Sequence, residues 1–387
     1  MLASGRSGMH LESTQKPSSL TGREGLQRLI DLLAADNYRV IGPRFDGVAI
    51  ALGPITRVED MPIGIADEQE AGRYRPTGAN DGSLFGFSLP AQGWKRYLYP
   101  PSELLLRARR QGDGFAVESD PQAIAPKYAF LGVRACDLKG IRILDRALGA
   151  SGAGDAWYLA RRDGCFVIAV NCTRCAPTCF CASMGAGPRV RGDYDIALTE
   201  LVVGDASPTF VLAAGSQRGA ALISRIADRP ATEAELAAEA AAVENAHTTQ
   251  VRSMVPDVAT LLRRNLEHRA WSRVAERCLG CANCTMVCPT CFCATVEDTT
   301  DLSGAIAERR RTWDSCFTSD FSYIHGGSIR RSGAARYRQW MTHKLSSWWQ
   351  QFETSGCVGC GRCIVWCPVG IDITEEARAI ATGEGAC

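Results

Sequence analysis

Two stretches of this chain share one cysteine spacing. The first is Cys278-Leu-Gly-Cys281-Ala-Asn-Cys284-Thr-Met-Val-Cys288-Pro289, and the second is Cys357-Val-Gly-Cys360-Gly-Arg-Cys363-Ile-Val-Trp-Cys367-Pro368. Three thiolates two residues apart let a tight loop wrap one cubane, with Gly280, Gly359 and Gly361 allowing close backbone approach. This is the run that holds 4Fe–4S clusters in bacterial ferredoxins. The fourth cysteine, three residues on and before a proline, reaches the other cluster in two-cluster forms. The spacing therefore assigns Cys278, Cys281, Cys284 and Cys367 to one cluster, and Cys357, Cys360, Cys363 and Cys288 to the other. Zinc motifs instead set two C-x2-C knuckles apart. Met286, Val287, Ile364, Val365 and Trp366 supply apolar cover that excludes water. The cluster potentials stay open within roughly −700 to +450 mV.

A third group is Cys172-Thr-Arg-Cys175-Ala-Pro-Thr-Cys179-Phe-Cys181. No ferredoxin loop has this spacing. A further cluster, a zinc site and a redox-active thiol set all remain open for it. The tetrad Thr-Cys-Phe-Cys occurs at 178–181 and again at 290–293. Cys291, Cys293 and Cys316 are thus extra thiols beside the first ferredoxin motif, candidates for further metal ligation or for buried thiols without metal. Cys165 begins an apolar run and is expected in the core.

These thiols need elements to position them. Leu26, Leu29, Ile30 and Leu33 recur at helical spacing after Thr21. Tyr128 to Val133 and Cys165 to Val170 read as buried strands, with a helix between them carrying Leu138, Ile141 and Leu148. Strand, helix, strand predicts an α/β domain with Cys136 and Cys172 at strand ends, where ligands sit in open α/β sheets. The expected organisation is a disordered N-terminus over 1–21, then an α/β domain with its cysteine group over 22–227. A helical linker, 228–270, follows, with a packing and spacing role. An α+β two-cluster ferredoxin-like domain, 271–387, ends the chain and carries a long insertion, 294–356.

The 387 residues carry 18 cysteines, 43 Lys+Arg and 42 Asp+Glu, so no net field points to nucleic acid. No apolar run reaches the ~18 residues of a membrane span. The first residues show no hydrophobic h-region and no twin arginine, so no export is expected and the thiols point to a cytoplasmic chain. G-x-G-x-x-G after a strand, Walker A and H-E-x-x-H are all absent. Gly149-Ala-Ser-Gly152-Ala-Gly154 reads as a helix stop. A nicotinamide or flavin site therefore belongs to another chain. Residues 309–344 hold eight Lys/Arg against Asp314 and Asp320, a charge of +6, among Trp313, Tyr323, Tyr337 and Trp340. Arg, Trp and Tyr favour protein interfaces, so this stretch is expected to be a docking surface.

The chain resembles the iron–sulfur β subunit of cytosolic NAD(P)-linked nickel–iron hydrogenases of the sulfhydrogenase type, and anaerobic sulfite reductase has an electron-transfer component of similar architecture. The resemblance rests on Gly132-Val-Arg-Ala-Cys136-Asp137-Leu138, Asn171-Cys172-Thr, Thr178-Cys-Phe-Cys181-Ala-Ser-Met-Gly-Ala-Gly-Pro188 and the double ferredoxin motif. Cys288-Pro-Thr-Cys-Phe-Cys293, Trp313-Asp-Ser-Cys316 and Arg336-Tyr-Arg with His343-Lys344 add to it. It implies Cys136, Cys172, Cys179 and Cys181 as ligands of a third 4Fe–4S cluster, with Cys175 an alternative ligand. It also implies an electron-transfer subunit without catalytic residues of its own. Its partners would be a flavin-containing diaphorase subunit and the small and large nickel–iron hydrogenase subunits. The rivals are the electron-transfer component of an anaerobic sulfite reductase, a stand-alone redox enzyme built on the N-terminal cysteine site, and a zinc-stabilised interaction module.

Overall fold

The computed structural model describes residues 18–79, 81–120, 125–149, 152, 154–202 and 207–383. Most of the expected disordered stretch 1–21, and Cys387, lie outside these residues. Ser19–Thr21 corrects the expectation where it can be seen: it is a strand, paired antiparallel with Thr209–Ala214. Leu20 is buried there, and the Thr21 hydroxyl donates to the Ile226 carbonyl at 2.9 Å.

An eight-stranded mixed sheet occupies the N-terminal half. Its spatial order is Arg229–Pro230, Ser19–Thr21, Thr209–Ala214, Ile196–Leu201, Phe166–Val170, Tyr128–Arg134, Arg39–Phe45 and Ile50–Pro54. The four strands from Ile196–Leu201 to Arg39–Phe45 are parallel, and antiparallel strands flank them. Phe166–Val170 is buried at every residue because both sheet faces are covered. Phe166, Ile168 and Val170 pack with helix Arg23–Ala35 on one face. Val167 and Ala169 pack with Leu138, Ile141 and Trp94 on the other, as the two-residue strand period requires. Cys165 joins this second core as expected.

Gly132 sits at φ +102° where the pairing of Tyr128–Arg134 with Phe166–Val170 slips. The bulge re-aims the strand end. Arg134 there sends its guanidinium to the carbonyls of Phe85 (2.9 Å) and Phe87 (2.8 Å). Helix Ala135–Leu148 starts at once, with Cys136 in its first turn.

The insertion does not stand apart. Its hairpin, Ala294–Thr300 and Ile306–Trp313, pairs with Ser102–Gln111 and Gly114–Glu118 in a four-stranded antiparallel sheet. The docking reading of its basic and aromatic residues is largely corrected. Tyr337, Trp340 and Trp348 are buried and pack with Trp271, Phe317 and Phe292. Arg309 pairs with Asp298, Arg311 with Glu103 and Asp155, and Arg338 with Glu267. Trp349, Tyr323 and His325 remain exposed. Helices Glu233–Thr248 and Val258–Arg264 stand where two helices broken around Pro256 were expected, but Arg229–Pro230, at the start of the expected linker, is an edge strand of the mixed sheet.

Candidate metal centre

The two ferredoxin motifs fold into matching loops. Gly280 (φ +65°) and Gly359 (φ +66°) hold the same left-handed position, as do Ala282 (φ +65°) and Gly361 (φ +75°). Short helices follow, Asn283–Met286 and Arg362–Val365. The Gly280 N–H donates to Cys278 Sγ, and the Gly359 N–H to Cys357 Sγ, each at 3.4 Å. Donors of this kind stabilise cluster-bound sulfur. Cys278, Cys281, Cys284 and Cys367 line one apolar pocket together with Cys363, Phe317, Tyr337 and Ile373. Burial pushes the Cys278 and Cys284 thiols up, and the neighbouring Cys367 adds to it. Cys288 lies within electrostatic reach of Cys357, Cys360 and Cys363, and of Cys284 in its own motif. Cys367 thus lies beside the first motif's Cys278 and Cys284, and Cys288 beside the second motif's thiols as well as its own Cys284. All-thiolate donors, left-handed glycines and N–H donors on sulfur fit a pair of cubanes. Among the described residues no three His, Cys, Asp or Glu side chains gather about a single-ion point; a four-iron core spreads its thiolates more widely than one ion does.

Cys136, Cys172, Cys175, Cys179 and Cys181 form a second gathering of thiols at the sheet's strand ends. Burial raises Cys136, with Asp137 and Cys360 adding to it. Cys172 is pushed up to about 11 by burial, against Arg134, whose Nη1 lies 3.9 Å from its sulfur. Cys175 falls to about 4 through hydrogen bonds from the Cys179 and Cys181 thiols. Cys175 therefore lies within hydrogen-bonding reach of Cys179 and Cys181. Gln250 Nε2 donates to Cys175 Sγ at 3.5 Å and to Cys181 Sγ at 3.3 Å. The linker was expected only to pack and space, yet it delivers this amide.

The third group abuts the second motif loop. The Phe180 N–H donates to the Gly359 carbonyl at 2.9 Å. A Cβ on Gly359 would meet Phe180 O at 2.6 Å, and one on Gly361 would meet Thr178 O at 2.5 Å. Arg362, between Gly361 and Cys363, forms a buried two-pronged pair with Asp137, beside Cys136.

The segment of Cys291 and Cys293 also reaches the chain entering this loop, where Thr290 Oγ1 donates to the Gly356 carbonyl at 2.6 Å. The Cys291 thiol lies against Cys288, and the Cys293 thiol against Cys316. Lys344, on the π-helical stretch His343–Ser347, donates to Cys288 Sγ (3.2 Å), Thr290 Oγ1 (3.1 Å) and the Gly356 carbonyl (3.2 Å). Burial works against its charge, but the Cys288, Cys291 and Cys357 thiolates win and hold it well above its usual range.

Sulfhydrogenase 2 subunit beta of Pyrococcus furiosus is 30% identical to this chain over 298 residues, covering 74% of this chain and 84% of that protein. The chain belongs to the sulfhydrogenase beta-subunit family. The family model described as a 4Fe-4S dicluster domain matches residues 277–371 of this family member. No solved structure matches it. Its described residues include no helix long and apolar enough to cross a membrane. Sequence reasoning about this family member missed Gln250, 69 residues from the Cys181 sulfur it reaches, and the Asp137–Arg362 pair, whose partners lie 225 residues apart. Lys344 was legible only as part of a basic run, where it looked like surface charge.

Proposed function

We propose that this chain is the non-catalytic iron–sulfur electron-transfer subunit of a cytoplasmic NAD(P)-linked nickel–iron hydrogenase complex. Its partners on this reading are a flavin-containing diaphorase subunit and the hydrogenase small and large subunits. It divides into an α/β part, 22–227, with a third centre, a linker, 228–270, and a dicluster part, 271–387. When bound, 4Fe–4S clusters take up and release single electrons.

The chain's own residues arrange three thiolate sets side by side. Cys136, Cys172, Cys179 and Cys181, with Cys175 among them, lie next to the loop of Cys357, Cys360 and Cys363. That loop shares Cys288 and Cys367 with the loop of Cys278, Cys281 and Cys284. The hydrogen bond from the Phe180 N–H to the Gly359 carbonyl carries the reading, because it leaves no room for another element between the first two sets. Phe317, Tyr337 and Trp340 keep water from the last set, while Cys281 is exposed at the surface where a partner can approach. Arg134, Gln250 and Lys344 hold donors on the sulfurs and so set the potentials.

The test is anaerobic purification of the native complex. Nickel and flavin are expected to travel with the chain, and its visible iron–sulfur absorbance to bleach under hydrogen and under reduced nicotinamide. Sirohaem without nickel would move the assignment to sulfite reduction.

A further inference from the structure

The tetrad Thr-Cys-Phe-Cys is used twice, and both copies lean on the second motif loop. Thr178–Cys181 packs against Gly359 and Gly361. Thr290–Cys293 reaches the chain entering that loop, where Thr290 Oγ1 donates to the Gly356 carbonyl at 2.6 Å. The first copy gathers further thiols around its two cysteines. In the second, Cys293 lies against Cys316 and Cys291 against Cys288. The Asp314 N–H donates to the Cys293 carbonyl at 2.9 Å, and Ser315, fully buried, accepts from the Thr285 hydroxyl at 2.8 Å. These bonds fix the Cys316 loop against both the tetrad and the first motif.

Two lysines face this nest. Lys95 and Lys344 are each only 5% exposed. Lys95 Nζ donates to the Cys291 carbonyl at 2.8 Å and stands 3.7 Å over the Trp313 ring. Among the described residues neither lysine has a carboxylate as acceptor. An ammonium buried without an anion is costly. Cys288, a ligand of the second cluster, answers for Lys344. The thiols that act on Lys95 are Cys291 first, then Cys288 and Cys293, and of these Cys291 and Cys293 are not ligands of the second cluster.

We infer that Cys291, Cys293 and Cys316 hold a fourth metal centre, an iron–sulfur cluster with three protein thiolates, whose negative charge is balanced by Lys95 and Lys344. The all-sulfur donor set favours iron–sulfur over other first-row centres. A closed structural zinc site takes four protein ligands, one more than this set supplies. The inference does not depend on the third centre at Cys136, Cys172, Cys179 and Cys181, and goes beyond the relay proposed above.

The experiment compares iron, acid-labile sulfide and zinc in the anaerobically purified full chain and in a Cys291→Ser, Cys293→Ser, Cys316→Ser triple variant, with electron paramagnetic resonance of both reduced samples. The triple variant is expected to lose about four irons and about four sulfides per chain, while the signals of the two motif clusters persist. Equal iron in both proteins, or loss of zinc in place of iron, would overturn the inference. If the triple variant does not fold, Cys316→Ala keeps both tetrads and both motif loops intact. It is expected to lose at least one iron per chain, and unchanged iron content would overturn the inference. Failure of the third-centre reading would register separately, as unchanged iron in a Cys136→Ser variant.

Discussion

Arg362 and Asp137 meet in a buried pair, Nη1 to Oδ1 at 2.7 Å and Nη2 to Oδ2 at 2.9 Å, 225 residues apart in sequence. One partner belongs to a ferredoxin loop and the other to a helix start at the edge of the mixed sheet. Each follows or precedes a cysteine, so the pair fastens the Cys136 thiol to the loop of Cys360 and Cys363. Arg362 Nε also donates to the Pro90 carbonyl at 2.9 Å. Removing the arginine leaves a buried carboxylate without its cation, which costs about 3–5 kcal/mol. Arg362→Met is therefore expected to lower unfolding stability by that amount in anaerobic denaturant titration. A loss below about 1 kcal/mol would place the pair among weak surface contacts.

The matched glycines of the two loops supply an internal control. Gly280 and Gly359 share φ near +65°, but a Cβ on Gly280 meets nothing within 4 Å, whereas one on Gly359 meets Phe180 O at 2.6 Å and Cys181 Cα at 2.7 Å. Gly280→Ala should cost only the left-handed strain of about 1–2 kcal/mol. Gly359→Ala should cost clearly more and disturb the Cys181 loop as well. Equal losses for the two variants would mean that the loops do not touch.

Exchange of the fourth ligands makes a spectroscopic prediction. Cys367→Ser should perturb the centre of Cys278, Cys281 and Cys284, and Cys288→Ser the centre of Cys357, Cys360 and Cys363. Double variants within one centre should then behave as a unit, while variants across centres add. Power saturation of the reduced signals tells the two apart, because one centre lies at the surface near exposed Cys281 and the other is enclosed. The reverse pairing, each motif serving itself, would contradict the arrangement.

His343 gives a pH dependence with a definite sign. Its ring accepts from Trp348 Nε1, at 3.1 Å to Nε2. Burial first, then the neighbouring Lys344 and more distant Arg330, lowers its pKa below the usual 6.5, against a hydrogen bond with Gln351 that raises it. The unfolded chain then binds more protons than the folded chain just below pH 6.5. Stability is retained above that value and lost as pH falls beneath it. A His343→Gln variant, which cannot gain this charge, should lose less stability than the parent between about pH 7 and about pH 5. Parallel curves for the two proteins would remove His343 from the account.

Much of the scaffold could be read from periodicity. Leu26, Leu29, Ile30 and Leu33 face the core as their spacing requires, and Phe166–Val170 is the buried strand that its unbroken apolar run predicts. Cysteine spacing likewise pointed to which thiols share a loop, since short loops are local. The rest was hidden because it depends on distant contacts. Strand Ser102–Gln111 pairs with Ile306–Trp313 across about two hundred residues, and nothing in either segment names the other. Ser19–Thr21 is too short to show a period, and its pairing comes from the sheet edge beside it. The aromatic and basic run of the insertion looked like an interface because composition does not distinguish a tryptophan packed on Phe317 from one facing solvent.

Iron, acid-labile sulfide and zinc content of the anaerobically purified chain, with electron paramagnetic resonance of the reduced protein, tests the central claim most directly. The account predicts at least about twelve irons with matching sulfide and spin-coupled signals from adjacent centres. Zinc without sulfide, or no more than about eight irons with signals indifferent to changes at Cys136, Cys172, Cys179 and Cys181, would contradict it.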